Sequence, residues 1–157
     1  MTPLQGLNAD FRDLLVSFGR EEVEYVLVGA YALAFHGSPR ATGDIDVFVR
    51  ATTANGERVW RALVAFGAPL AAAGVAPRDF ATPGLVYQIG LPPRRIDILT
   101  DISGVSFDEA WASRVLGDLD GLAVPFLGRE ALIANKRASA RLKDLADVER
   151  LEGGADG

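Results

Sequence analysis

The chain contains no cysteine, one histidine and only two lysines, against fourteen arginines. Without cysteine there is no disulfide framework, no thiolate metal site and no cysteine nucleophile. A membrane-spanning helix needs about 20 mostly apolar residues in a row, and no such run occurs, so no membrane partner is expected. The opening segment, MTPLQGLNADFRD, lacks the basic start and apolar stretch of a secretory leader. A cytoplasmic protein is the expectation. The net charge of −5 excludes a protein that coats nucleic acid by bulk electrostatics, though not one with a small basic groove. Internal repeats and low-complexity linkers are also missing.

What is present is a chain of 157 residues, 49% apolar and 24% charged, the length and balance of one globular domain with a sizeable core. The expected organisation is a single domain over residues 1–151 with a flexible tail at 152–157. Leu7, Phe11, Leu14, Leu15 and Phe18 recur at helical spacing and predict a helix over about 8–19. EYVLVG reads as a β-branched strand closed by glycine. AYALAFHG follows as a run of helix formers stopped by Gly37 and Pro39. DIDVFV is a second strand. Val59, Leu63, Val64 and Phe66 mark another amphipathic helix. The Ala-, Gly- and Pro-rich stretch GAPLAAAGVAPRDFATPG gives no clear element. LVYQIGL and RRIDILT read as strands joined by a Pro-Pro turn, FDEAWASRV as a helix, and LAVPFLG as a short strand. Residues 129–151 read as one long helix. The fold class is α/β.

Two aspartates interrupt the apolar strand DIDVFV. Side chains alternate along a strand, so Asp44 and Asp46 share one face while Ile45, Val47 and Val49 share the other. The apolar face can enter the core; the acidic face must meet water, a cation or a basic partner. In RRIDILT the same alternation groups Arg95, Asp97 and Leu99 opposite Ile96 and Ile98. If the two strands pair, three carboxylates converge. Without partners they would repel and lose hydration. Hard oxygen donors of this kind suit Mg²⁺ or Mn²⁺, and two such ions can serve phosphoryl transfer. The plain alternative for an Asp-x-Asp pair is strand-edge solvation or surface ion pairing. Upstream, YVLVGAYAL places Gly29 and Ala30 where a strand turns into a helix. Backbone N–H groups at such a turn can approach a phosphate, although glycine also serves simple turns.

Taken together, the strand ending Val28-Gly29-Ala30, the Asp44-Ile45-Asp46-Val47 strand and the later Asp97 resemble the polymerase-β-type nucleotidyltransferases. VGAYALAFHGSPRATGDIDVFV, with RIDILT and NKRASARLKDLADVERL downstream, is similar to the small bacterial branch of that superfamily. That branch includes relatives of toxin–antitoxin nucleotidyltransferases of the AbiEii kind. The resemblance covers most of residues 24–151. It implies a minimal nucleotidyltransferase fold, a mixed β-sheet flanked by helices with a long C-terminal helix. It also implies an enzyme that moves a nucleoside monophosphate from an NTP to an acceptor hydroxyl on RNA, tRNA included, or protein. Asp44, Asp46 and Asp97 would be the catalytic, metal-holding residues for two Mg²⁺ or Mn²⁺ ions. A cognate antitoxin or toxin protein is a further partner that the resemblance suggests. The alternative is a nucleotidyltransferase fold kept as a weak or inactive binding module in a two-protein pair. Ala30 departs from the family pattern, where Gly or Ser is usual. Alanine offers only its backbone N–H, and would be strained if the turn needs a positive φ there.

Neighbouring residues carry two readings each. Arg40 and Thr42, just before the Asp-x-Asp strand, suit phosphate contact, or else a salt bridge and a turn. His36 is a general base or a structural hydrogen-bonder. Lys136 and Lys143 lie seven positions apart, so on one helix they would share a side. They are either part of a solvated face or, as the resemblance implies, a counter-charge for triphosphate. Asp144 can pair with a cation along the same helix. Trp60 and Trp111 read as core residues rather than base-stacking platforms.

Overall fold

The computed structural model describes residues 7–38 and 43–154. Arg40 and Thr42, the two candidate phosphate contacts preceding Asp44 in the sequence, lie outside the described residues. The elements are α1 Ala9–Arg20, β1 Tyr25–Val28, α2 Gly29–Phe35, β2 Ile45–Val49, α3 Thr53–Phe66, α4 Leu70–Ala73, a 3₁₀ turn Pro77–Ala81, β3 Val86–Ile89, β4 Ile96–Leu99, α5 Phe107–Ala112, β5 Val115–Leu119, β6 Leu122–Phe126, α6 Arg129–Ser139 and α7 Leu142–Gly154. The Ala- and Pro-rich stretch without a clear prediction thus holds one helical turn and one 3₁₀ turn.

Six strands form one mixed sheet in the order β3-β4-β2-β1-β6-β5. β1 runs antiparallel to β2, whereas β2 pairs with β4, and β1 with β6, in parallel. Alternation along the strands gives the sheet two apolar faces. Ile45, Val47, Val49, Ile96 and Ile98 pack with Phe11, Leu14 and Phe18 of α1 and Val59 and Leu63 of α3. Val26, Val28 and Phe48 point the other way, onto Leu33, Leu132, Ile133, Val148 and Leu151. Helices therefore cover both faces. The fold is α/β, with a mixed sheet flanked by helices as expected.

Two local predictions differ from the structure. The helix read over FDEAWASRV stops at Ala112, and Val115 opens β5, which forms a hairpin with β6. Its two turn residues, Asp120 and Gly121, have φ of 52° and 86°. Positive φ at both centres is the two-residue turn whose twist matches paired strands, and Asp-Gly is a favoured sequence for it.

The second difference is at the C-terminus. The long helix is two helices, broken at Ala140, which adopts a left-handed conformation with φ 54°. A left-handed alanine costs roughly 1–2 kcal/mol. What offsets it is tertiary: the break folds α7 back on α6, so that the Lys136 Nζ lies 3.4 Å from Asp144 and 3.6 Å from Asp147. In an unbroken helix Lys136 and Asp144 would be separated by about 12 Å of rise and could not meet.

Candidate active site

β1 ends at Val28, whose register partner on β2 is Asp46; Asp46 is in turn paired with Asp97 on β4. The second and third acidic residues are therefore side by side on adjacent parallel strands. Both lie on the face opposite Ile45 and Ile96, because the side-chain period of a strand is two. Asp44 precedes β2 on the same side and accepts a 2.8 Å hydrogen bond at Oδ1 from the Arg95 backbone N–H.

Gly29 makes this arrangement possible. Its φ is +65°, and a Cβ built on it would lie 2.1 Å from Oδ2 of Asp46. Any side chain there would displace the carboxylate. The left-handed position of the turn falls on Gly29 and not on Ala30, so the strain that alanine would suffer at a positive φ does not arise. Ala30 is the second residue of α2 and lines the pocket beside Gly29 and Asp46.

Burial raises the pKa of Asp46 from 3.8 to about 7, reinforced by a hydrogen bond with Asp97 and by the charges of Asp97 and Asp44; Arg95 opposes the shift. Two carboxylates this close cannot both ionise without a cation between them. Arg95 supplies one positive charge. Its Nε lies 2.7 Å from Oδ1 of Asp97 and its Nη2 3.1 Å from Oδ2, a bidentate pair, with Nη2 also 3.5 Å from Asp44. Among the described residues, no group of three or more His, Asp or Glu side chains is drawn together tightly enough to enclose a metal ion as they stand. Asp44 and Asp97 are instead turned to Arg95.

The other wall of the site is the α6–α7 unit. Lys136 is buried, with its Nζ held between Asp144 and Asp147, themselves 0% and 1% exposed at the side chain. Asp144 also takes the Nε of Arg141 at 2.6 Å, and Asp147 the Nη1 of Arg150 at 3.2 Å. Burial alone would push the Asp144 carboxyl up. The Arg141 hydrogen bond and the Lys136 charge outweigh this and hold it below the ordinary range. Lys143 and Arg141 are exposed at the start of α7.

These groups enclose a pocket of about 390 Å³ lined by Gly29, Ala30, Leu33, Asp44, Asp46, Arg95, Asp97, Lys136, Arg141 and Lys143. Three carboxylates and four basic side chains thus line a space large enough for a small charged ligand, with Arg95 already paired to Asp97 and Lys136 to Asp144 and Asp147. Asp44, Asp46, Asp97, Gly29, Ala30, Lys136 and Lys143, seven of the candidate residues among the described ones, line this pocket. Lys136 and Lys143 reach it from two helices rather than from one face of a single helix. Arg95 and Arg141 also line the pocket, and neither was assigned a role from the sequence. The signal for Arg95 was available, since it stands two positions before Asp97 on the same strand face.

His36 is not part of the lining. Its Nε2 is 2.7 Å from the Leu127 carbonyl oxygen and its ring stands edge-on to Phe35. Burial lowers its pKa, the Leu127 bond opposes that, and Arg129 adds to it. This supports the structural reading of His36. Trp60 packs beside Phe80, and Trp111 stacks on Phe107 with the Arg114 guanidinium over the Trp111 ring. Both stand outside the pocket.

Comparison with solved structures places the fold. The chain superposes on TM1012 of Thermotoga maritima, a candidate nucleotidyltransferase, with a TM-score of 0.56 and 17% identity, over 93% of this chain and 90% of that one. The antibiotic-resistance factor ANT(2'')-Ia matches with a TM-score of 0.56 and 17% identity, over 94% of this chain and 83% of that one. At that identity the likeness is one of fold. No protein-family model matches the chain, and no curated protein matches its sequence.

Proposed function

We propose that the protein is a metal-dependent nucleotidyltransferase, which moves a nucleoside monophosphate from an NTP to an acceptor hydroxyl and releases pyrophosphate. The observation that carries this reading is the in-register pair Asp46–Asp97, with Gly29 reduced to a hydrogen side chain so that Asp46 can occupy its place. The donor chemistry fits Mg²⁺ or Mn²⁺: all three carboxylates offer hard oxygens, and the proton that Asp46 retains to about pH 7 marks a position where a cation is favoured. Asp44, Asp46 and Asp97 would hold two such ions, which supply charge neutralisation and an activated oxygen when bound. The chain's own residues do the rest. The backbone N–H groups of Gly29 and Ala30 face the phosphates, and Lys143 and Arg141 at the start of α7 balance their charge. Lys136, held between Asp144 and Asp147, stiffens that wall and would add its charge to the pocket it lines. Catalysis on this reading is positioning and electrostatic stabilisation, with no covalent intermediate.

The acceptor in this proposal is a hydroxyl on RNA, tRNA included, or on protein. The sequence resemblance extends it to a toxin–antitoxin setting with a cognate protein partner. A second reading, a nucleotide-binding module without transfer activity in a two-protein pair, draws on the ion pair between Arg95 and Asp97, which already neutralises part of the acidic site. Incubation with labelled NTPs, Mg²⁺ or Mn²⁺, and pooled RNA and protein acceptors separates the two. Transfer by wild type that disappears in Asp44→Ala supports the enzyme. Equal transfer by Asp44→Ala, or none by wild type with any acceptor, contradicts it.

A further inference from the structure

Arg95 sits where the proposed cations would act. It occupies both oxygens of Asp97, through Nε at 2.7 Å and Nη2 at 3.1 Å, and reaches Oδ2 of Asp44 at 3.5 Å. A divalent cation on Asp97 needs a lone pair on one of the same two oxygens. It would also stand beside a guanidinium of like charge. The two cannot share the carboxylate without loss, so binding of one weakens the other.

The arginine is built to leave. Its side chain is 26% exposed, whereas that of Asp97 is 10% exposed. The guanidinium is the more exposed partner of the pair, and its other ion pair among the described residues is the longer 3.5 Å contact with Asp44. Its backbone is fixed independently: the Arg95 N–H donates to Asp44, and its carbonyl accepts from Ile45 at 3.0 Å. Rotation of the side chain therefore need not disturb β4 or the placement of Asp97. Once released, the guanidinium still borders the same pocket as Lys143 and Arg141. A planar fork with several donors is well matched there to phosphate oxygens.

We infer that Arg95 is an exchangeable internal counter-ion: it competes with the divalent cation for Asp97 and moves to the triphosphate when cation and nucleotide enter together. This rests on the metal-dependent reading above and adds to it a coupling residue. Divalent cation alone binds weakly, because it must displace Arg95 into water. Cation with nucleotide binds well, because the displaced guanidinium gains phosphate partners.

The test uses the full chain with Mn²⁺ alone, its affinity read from the electron paramagnetic resonance of free Mn²⁺, with no nucleotide and no activity assay. Arg95→Gln keeps the backbone N–H to Asp44 and removes the charge; it should bind Mn²⁺ about tenfold more tightly than wild type. Arg95→Lys keeps the charge but loses the bidentate fork, and should fall between them. With Mn²⁺ saturating, a non-hydrolysable ATP analogue should bind Arg95→Gln more weakly than wild type, because the displaced guanidinium is no longer there to meet the phosphates. Circular dichroism confirms that the variants are folded. Asp46→Asn separates this inference from the reading beneath it. If wild type binds Mn²⁺, Asp46→Asn does not, and folded Arg95→Gln binds no more tightly than wild type, the exchange is overturned while the metal site stands. If none of the proteins binds Mn²⁺, both fall. Binding by Arg95→Gln alone supports the exchange in its strongest form.

Discussion

Asp46 and Asp97 stand side by side on parallel strands, close enough that burial and their mutual contact raise the pKa of Asp46 from 3.8 to about 7. The backbone register makes this pairing unavoidable once β2 and β4 align, so the acidic site is a property of the sheet and not of a loop. Everything else in the pocket can be read as a response to that concentration of negative charge.

The first consequence is a dependence of stability on pH. Between about pH 4 and 7 the folded protein keeps a proton on Asp46 that the unfolded chain releases, so the folded state binds more protons and loses stability as pH rises. The contribution is fully present below pH 3.8 and gone above about pH 7. Urea denaturation in EDTA at several pH values checks this. Wild type should weaken across that window, by several kcal/mol at most. Asp46→Asn should weaken much less, and be more stable than wild type at pH 8.

Gly29→Ala should separate folding from function. The left-handed φ costs about 1–2 kcal/mol, a tolerable loss. The added methyl group overlaps Asp46 Oδ2, and the side chain must swing away. The expected result is a protein that folds with a modestly lower melting temperature and has lost most of its Mn²⁺ affinity. Calorimetry and Mn²⁺ titration on the same preparation measure both.

Lys136 and Lys143 line one pocket but should behave differently. Lys136→Met leaves Asp144 and Asp147 buried with their lysine partner removed, a change expected to cost about 3–5 kcal/mol. Lys143→Ala removes an exposed charge and should alter stability by no more than about 0.5 kcal/mol, while weakening nucleotide binding. Denaturant midpoints and nucleotide titrations with both variants make the comparison.

Ala140 offers a check on the broken C-terminal helix. Glycine adopts the left-handed conformation without the Cβ penalty, although it gains more freedom in the unfolded chain. Ala140→Gly should therefore stabilise the protein by about 0.5–1 kcal/mol. Proline at the same position, which cannot take a positive φ, should destabilise it. Thermal melts decide both.

The parts of the site legible in the sequence were those that follow from strand periodicity. Asp44 and Asp46 could be put on one face of their strand, and Asp97 with Arg95 on one face of a later strand, because alternation is local. Gly29 stood out because a strand passes into a helix there. The meeting of all three carboxylates waited on the β2–β4 pairing. What lay beyond reach depended on partners distant in sequence. Ala140 has the highest helix propensity of any residue, and only the meeting of Lys136 with Asp144 and Asp147 explains why the chain turns at that point. Arg95 was placed on the correct face, but its bond to Asp97 depends on a rotamer and on the β2–β4 pairing. The β5–β6 hairpin is different, since Asp120-Gly121 carried a local turn signal that the helical reading of FDEAWASRV obscured.

The most direct test of the account is a crystal structure of the protein with Mn²⁺ and a non-hydrolysable NTP analogue, with the metal located by its anomalous signal. The account predicts Mn²⁺ bonded to oxygens of Asp46 and Asp97, the triphosphate lying between Gly29 and Lys143, and Arg95 withdrawn from Asp97. Metal and nucleotide bound elsewhere, with Arg95 still clasping Asp97, would contradict it.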